Sequence, residues 1–253
     1  MRILAIIPVR MSSTRFPGKP LEDILGLTML EHVRIRTKLS SVVEDVLVAT
    51  CDQIIFEEVE KSGGKAVMTS HLHTRCTDRI AEAAENIDAD IIINVQGDEP
   101  LLYPEMFEPL IAPLFEEDQL VCTNMVSIIR NEEENFDKNV VKVVCNLENN
   151  IIYLSREPIP SNRNNQKGFI KRFKQLGLMA FRKEFLVNFT KLKPTPLEMI
   201  ESIDMLRVLE YGYLIRMVET KSDIVGVDTP EDLDRVRILM KKDSLFSSYY
   251  EKI

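Results

Sequence analysis

Seven consecutive apolar residues, Ile3 to Val9, make a run of strand length with no polar position in it. A strand with one wet face alternates polar and apolar side chains, so an unbroken run predicts a strand covered on both faces, as in a parallel α/β sheet. Similar runs recur at Val46 to Ala49 and Ile91 to Val95. Between them lie helix-period segments: Met29, Leu30, Val33 and Thr37 share one face, Ile54, Ile55 and Val59 a second, and Ile80, Ala83, Ala84 and Ile87 a third. Ligands of such sheets bind beyond the carboxyl ends of the strands. The segments after Val9, Thr50, Met68 and Val95 are therefore where chemistry is expected.

The alternation changes near residue 120. Val121 to Ile129, Val140 to Val144 and Ile151 to Leu154 read as strands without full crossover helices, and Ser161 to Phe173 reads as a polar, basic loop. An inserted, partly antiparallel subdomain over about 121–220 is expected within one domain spanning 1–253. Pro196 to Tyr211 reads as a single helix that buries Leu197, Ile200, Ile203 and Leu206 or Leu209 and stops at Gly212. A strand near Ile215 to Glu219 and a last helix from Glu231 to about Met240, preceded by Asp228-Thr-Pro, close the pattern.

Charge narrows the choice of partners. Lys plus Arg number 32 against 40 Asp plus Glu, a net charge of -8, which disfavours a broad phosphate-backbone surface and hence nucleic acid. No apolar run approaches the roughly 20 residues of a membrane span. The N-terminal run is also too brief for a secretory leader, so it is kept as structure. Cys51, Cys76, Cys122 and Cys145 form no C-x-x-C pair and read as reduced thiols of a cytoplasmic protein. His71, His73 and Cys76 are zinc-ligand types, but no fourth ligand is evident.

The basic residues that matter are concentrated. Pro8-Val-Arg-Met-Ser-Ser-Thr-Arg-Phe-Pro-Gly-Lys19 follows the first strand directly, placing Arg10, Arg15 and Lys19 with the donors Ser12, Ser13 and Thr14 in one loop able to fold around a triphosphate. It is neither a Walker loop nor G-x-G-x-x-G. The most apolar strand is followed by Gln96-Gly-Asp-Glu-Pro100, where Asp98 stands at a strand end suited to hold Mg²⁺ against phosphates; Asp228 offers a second carboxylate.

These motifs, with Gly63-Gly64, Thr77-Asp-Arg79, the V-K-V-V run containing Lys142, Y-L-S-R at Ser155 and Arg156, and G-V-D-T-P-E-D-L at Asp228, resemble in collinear order the bacterial CMP-KDO synthetases, the 3-deoxy-manno-octulosonate (KDO) cytidylyltransferases. The resemblance implies a nucleotide-diphospho-sugar transferase fold: a mostly parallel sheet flanked by helices, with the insert serving sugar binding and dimerisation. It implies transfer of CMP from CTP to a 2-keto-3-deoxy sugar acid, with pyrophosphate released, in a Mg²⁺-dependent homodimer making bacterial lipopolysaccharide. Arg10, Arg15, Lys19, Asp98 and Asp228 would be catalytic, the two aspartates holding the metal. Pro8, Ser12, Ser13, Thr14, Arg75, Thr77, Arg79 and Gln96 would join the basic loop around the nucleotide. Lys142, Ser155, Arg156, Gln175, Glu201 and Met205 would meet the sugar acid.

Three departures touch the substrate-reading segments. Arg75-Cys76-Thr77 stands where the resembled proteins show S-G-T, Gln175-Leu-Gly-Leu-Met179 replaces H-x-G-I-Y, and Ile203-Asp-Met-Leu-Arg207 replaces L-E-Q-L-R. Met205 falls four residues after Glu201, which on a continuous helix places both on one face. The departures open alternatives: an amino-substituted KDO or a nine-carbon nonulosonic acid as acceptor. A sugar-1-phosphate nucleotidyltransferase and a catalytically silent nucleotide-binding paralogue are the rival readings.

Overall fold

The computed structural model describes residues 1–12, 15–161, 171–222 and 224–250. The chain divides into two compact units, Met1–Phe107 with Ile224–Ile253, and Glu108–Asp223.

The first unit is built on four parallel strands. β1 (Ile3–Val9) leads into a short hairpin, β2 (Asp23–Ile24) and β3 (Leu27–Thr28), then α1 (Met29–Lys38), β4 (Asp45–Thr50), α2 (Gln53–Lys61), β5 (Lys65–Met68), α3 (Cys76–Ala84) and β6 (Ile91–Val95). Spatial order is β6-β1-β4-β5, which sets the wholly apolar β1 between β6 and β4. Every residue of β1 and β6 is buried, as their apolar runs require, Asn94 of β6 being the one polar position. α1 starts where Thr28 Oγ1 accepts the Glu31 N–H at 3.2 Å, and it buries Met29, Leu30, Val33 and Thr37. Ile54 departs from expectation at 55% exposure: α2 turns Ile55 and Val59 inward, and a residue one step earlier is rotated about 100° away. α3 ends at Ala84, so Ile87 lies beyond it.

The second unit opens with α4 (Phe107–Glu116) and continues through β7 (Cys122–Ile128), α5 (Glu132–Phe136), β8 (Lys142–Cys145), β9 (Ile151–Ser155), β10 (Phe173–Arg182), α6 (Lys183–Phe189), α7 (Pro196–Glu201), α8 (Met205–Glu210) and β11 (Ile215–Glu219). β11 runs parallel to β7, whereas β10 pairs antiparallel with β7 and β8, and β8 with β9. The insert is mixed, as read from the sequence. β10 was not expected; the polar loop read over 161–173 ends in its first residue, and 162–170 lie outside the described residues.

The single helix expected over 196–211 is two. Ser202 adopts φ 56°, ψ 47° and breaks it, leaving Ile200 78% exposed. The break has a physical purpose. Glu198 and Arg207, nine residues apart, would stand about half a turn out of phase on one continuous helix. Across the break they form a buried ion pair, with Arg207 Nε 2.6 Å from Glu198 Oε2. Gly212, at φ 82°, ends α8's turn as expected.

The chain then returns to the first unit as α9 (Pro230–Met240) and α10 (Ser244–Tyr250). Thr229 and Asp232 form a reciprocal cap at the start of α9. Among the buried polar groups here is His32 of α1, whose Nε2–H donates to the Ile24 carbonyl at 2.7 Å while Nδ1 accepts from the Tyr249 hydroxyl at 2.6 Å. Burial lowers the ring's pKa from 6.5 to about 4, and nearby Arg36 reinforces this. An imidazole neutral in the fold but protonated when unfolded contributes stability above pH 6.5 that is lost as pH falls through 4. Chemical denaturation of the wild type should lose about 3 kcal/mol across that window from this group. A His32→Gln variant should show a correspondingly shallower pH slope, and equal slopes would contradict the assignment.

Candidate active site

The carboxyl ends of β1, β4 and β6 meet at one edge of the first unit's sheet, where a cavity of about 300 Å³ opens. Its walls include Pro8, Arg10, Ser12, Arg15, Lys19 and Gln96, six of the residues expected around a nucleotide, together with Asp98, expected to hold the metal. Ser13 and Thr14 lie outside the described residues. The basic loop doubles back because Gly18 takes φ 78°, a left-handed conformation that suits glycine, and its N–H donates to the Met11 carbonyl at 3.0 Å. That turn delivers Lys19 as the first residue of a 3₁₀ turn, Lys19–Leu21.

Lys19 is the centre of the site. Its Nζ donates to Asp98 Oδ2 at 2.7 Å and to the Val227 carbonyl at 2.8 Å, and it lies 3.6 Å from Asp228 Oδ1. Asp228 in turn meets Arg15 at 2.9 Å. Two carboxylates 130 residues apart thus converge on one cationic point, because Val227 N–H donates to the Asp98 carbonyl at 2.8 Å and stitches the two segments together. Hard oxygen donors around a point already shaped for a cation fit Mg²⁺, which takes one or two carboxylates and completes its shell with waters and substrate phosphates. No group of three or more His, Cys, Asp or Glu side chains placed to hold a metal occurs among the described residues. His73, one of the zinc-ligand types in the sequence, pairs with Glu82 at 2.5 Å.

A smaller adjoining cavity of about 40 Å³ is lined by Pro8, Arg10, His73, Arg75, Cys76 and Arg79 among others. Arg10 is exposed, and among the described residues no carboxylate lies within ion-pair distance of it. Arg79 is different: it is 3% exposed, and its guanidinium donates to Thr69 Oγ1 and the Ser70 carbonyl, so it braces the loop from inside. Thr77 is buried beside it in sequence, in the first turn of α3.

Residues expected at the sugar acid all lie in the second unit, and several are spoken for. Lys142 is buried, and its ammonium donates to the carbonyls of Asp137, Val140 and Arg156 at 2.7, 2.9 and 2.7 Å. Three protons on three carbonyls leave none for a sugar carboxylate, so its expected role is corrected to a structural one. Burial also pushes its pKa below the usual lysine value. Glu201 accepts from Ser155 Oγ at 2.7 Å and the Arg156 N–H at 2.9 Å, while Arg156 donates to the carbonyls of Glu201, Lys138 and Ser202. The shared helical face of Glu201 and Met205 is also corrected, since the chain breaks between them and Met205 is 1% exposed. Gln175, half-buried, donates to Asn124 Oδ1 at 2.5 Å beside a bulge between Gln175 and Met179.

Of three further contributors, Gly97 and Asp52 escaped the sequence reading, and Cys76 entered it only as a zinc-ligand type and a departure from the resembled family. Gly97 is required because a Cβ there would stand 2.2 Å from Val9 Cγ1, so β6 can end against β1 only with glycine. Cys76 lines both cavities, with Sγ 3.6 Å from Gln96 Oε1. Asp52, immediately beyond β4, accepts the Met11 N–H at 2.7 Å. Its place after a strand end was the available signal.

Comparison with known proteins agrees with the geometry. Residues 4–222 match the family described as Cytidylyltransferase. The chain is 46% identical over 245 residues to the 3-deoxy-manno-octulosonate cytidylyltransferase of Geobacter metallireducens, covering 93% of this chain and 96% of that one. It is 44% identical to the protein of the same name from Fusobacterium nucleatum, covering 97% and 99%. The solved structure of CMP:2-keto-3-deoxy-manno-octonic acid synthetase complexed with CTP superposes with a TM-score of 0.89 at 37% identity, covering 96% of this chain and 99% of that one. The inositol-1-phosphate CTP transferase of T. maritima, 16% identical with a TM-score of 0.66, shares the fold alone. By sequence and by fold over nearly its whole length, the chain belongs to the 3-deoxy-manno-octulosonate cytidylyltransferases of the cytidylyltransferase family.

Proposed function

We propose that this protein transfers CMP from CTP to KDO and releases pyrophosphate, with Mg²⁺ held by Asp98 and Asp228. The observation that carries the reading is the convergence of both carboxylates on Lys19 Nζ, which with Asp98, Arg10 and Arg15 lines the cavity. The family membership supplies the substrates: the relatives above bear KDO cytidylyltransferase in their names, and the superposed structure is complexed with CTP.

The reaction is an in-line displacement. The anomeric hydroxyl of the sugar acid attacks the α-phosphorus, the bond from it to the oxygen bridging to the β-phosphate breaks, pyrophosphate leaves with that oxygen, and the hydroxyl proton passes to solvent water. The approach is opposed by the negative phosphate oxygens, so placement and charge neutralisation dominate. Arg10 and Arg15 serve by orienting the phosphates from the loop. Lys19 neutralises charge that accumulates on the departing pyrophosphate, and the Ser12 hydroxyl supplies a further donor. Mg²⁺ held by Asp98 and Asp228 would supply charge neutralisation for the phosphates and Lewis-acid activation of the attacking hydroxyl, in place of a separate protein base. Gln96 contacts the nucleotide. In the second unit Ser155, Arg156, Gln175 and Glu201 form the acceptor-recognising cluster.

The working enzyme is a cytoplasmic homodimer joined through the second unit. Apolar side chains left exposed there, Ile152 at 59%, Met199 at 62% and Ile200 at 78%, support the assembly. No helix among the described residues is long and apolar enough to cross a membrane.

Pyrophosphate release measured with CTP, Mg²⁺ and a panel of acceptors tests the reading. KDO should be the preferred substrate, and omitting Mg²⁺ should abolish turnover. Preference for an amino-substituted KDO or a nonulosonic acid would reassign the acceptor. Turnover only with a sugar 1-phosphate, or CTP binding with no turnover at all, would overturn the proposal.

A further inference from the structure

Asp52 occupies the residue before α2, where an aspartate ordinarily turns its carboxylate onto the first helical N–H groups and adds about 1 kcal/mol. Here the backbone begins the helix as usual, the Asp52 carbonyl accepting from Ile55 and Phe56 N–H at 3.1 Å each, but the side chain makes no capping bond. Its Oδ2 instead accepts the Met11 N–H at 2.7 Å, across 41 residues of sequence. The carbonyl of the same Met11 accepts the Gly18 N–H that closes the basic loop. Met11 is therefore held on both sides of its own α-carbon, and it lies between Arg10 and the turn that delivers Lys19.

We propose that Asp52 is a positioning residue for the triphosphate loop: its carboxylate gives up capping α2 to pin Met11, which sets where Arg10 and Ser12 stand. The proposal rests on the CTP-binding reading above. A carboxylate close to an anion-binding loop is electrostatically unfavourable for a triphosphate, so the charge itself is not what the position requires. An oxygen acceptor at the right reach is.

This distinction is testable because serine and glycine also start helices well but do not span the gap. Calorimetric CTP binding, steady-state kinetics and thermal unfolding should be compared for the full-length wild type, Asp52→Asn, Asp52→Ser and Asp52→Gly. Asparagine keeps the acceptor oxygen, and CTP affinity should stay within about twofold of wild type. Serine should keep the melting temperature yet weaken CTP binding by about tenfold, about 1.4 kcal/mol, raising KM for CTP more than it lowers kcat. Should the serine variant fail to fold, the glycine variant carries the same expectation. CTP affinity at the wild-type level in the serine or glycine variant, or an equal loss in the asparagine variant, would overturn the inference. Failure of the wild type itself to bind CTP would instead overturn the functional reading on which it rests.

Discussion

Replacing Asp98 by asparagine should lower kcat by about three orders of magnitude, about 4 kcal/mol of transition-state stabilisation, while the protein remains folded. The substitution keeps size and hydrogen-bonding shape and removes one negative charge. The backbone contact that joins the two acidic segments, Val227 N–H to the Asp98 carbonyl, is retained by any residue at this position. Lys19, the partner left behind, keeps the Val227 carbonyl at 2.8 Å and the Asp228 carboxylate at 3.6 Å, so its charge is not stranded. The loss should fall on turnover, with CTP affinity in the absence of Mg²⁺ unchanged or slightly improved. Pyrophosphate release at near wild-type rates would remove Asp98 from the site.

Lys19→Met should act on both binding and turnover. The ammonium contacts Asp98, Asp228 and the Val227 carbonyl at once, and its side chain is only 13% exposed. Methionine retains the apolar stem and removes the charge. Two carboxylates then face one another without the cation between them, and the pyrophosphate loses a counter-charge as it leaves. KM for CTP should rise by about tenfold and kcat fall by about a hundredfold, on the scale of single electrostatic contacts in active sites. A second readout separates this from simple damage: Mg²⁺ should raise the melting temperature of Lys19→Met more than that of the wild type. An equal Mg²⁺ effect in both proteins would place Lys19 outside the carboxylate cluster.

The parts of the fold legible in the sequence were those whose burial leaves a one-dimensional trace. β1 and β6 are covered on both faces, and strands so covered are apolar at every position here except Asn94 of β6. β10 leaves no such trace, since Lys174, Gln175 and Gly177 interrupt it and its cohesion comes from pairing with β7 and β8. The break between α7 and α8 was hidden because Pro196 to Tyr211 carries an acceptable helical period. What overrides it is the Glu198–Arg207 ion pair, a contact that periodicity does not encode.

The site divides in the same way. Arg10 and Gln96 follow apolar strands directly, Lys19 and Asp98 stand in the loops those strands lead into, and the parallel topology brings the strands' carboxyl ends to one edge. Lys19 on the Val227 carbonyl spans 208 residues and could not be read from spacing. Lys142 shows the opposite failure: the resemblance implies that it meets the sugar acid, whereas its ammonium donates to three backbone carbonyls.

The most direct test is a double-mutant cycle on Asp98 and Asp228, reading kcat/KM for CTP with saturating Mg²⁺ and acceptor. Groups that hold one ion act as a unit, so Asp98→Asn with Asp228→Asn should be scarcely worse than either change alone. Losses that multiply across the cycle would mean that the two carboxylates work independently, contradicting a single shared cation site.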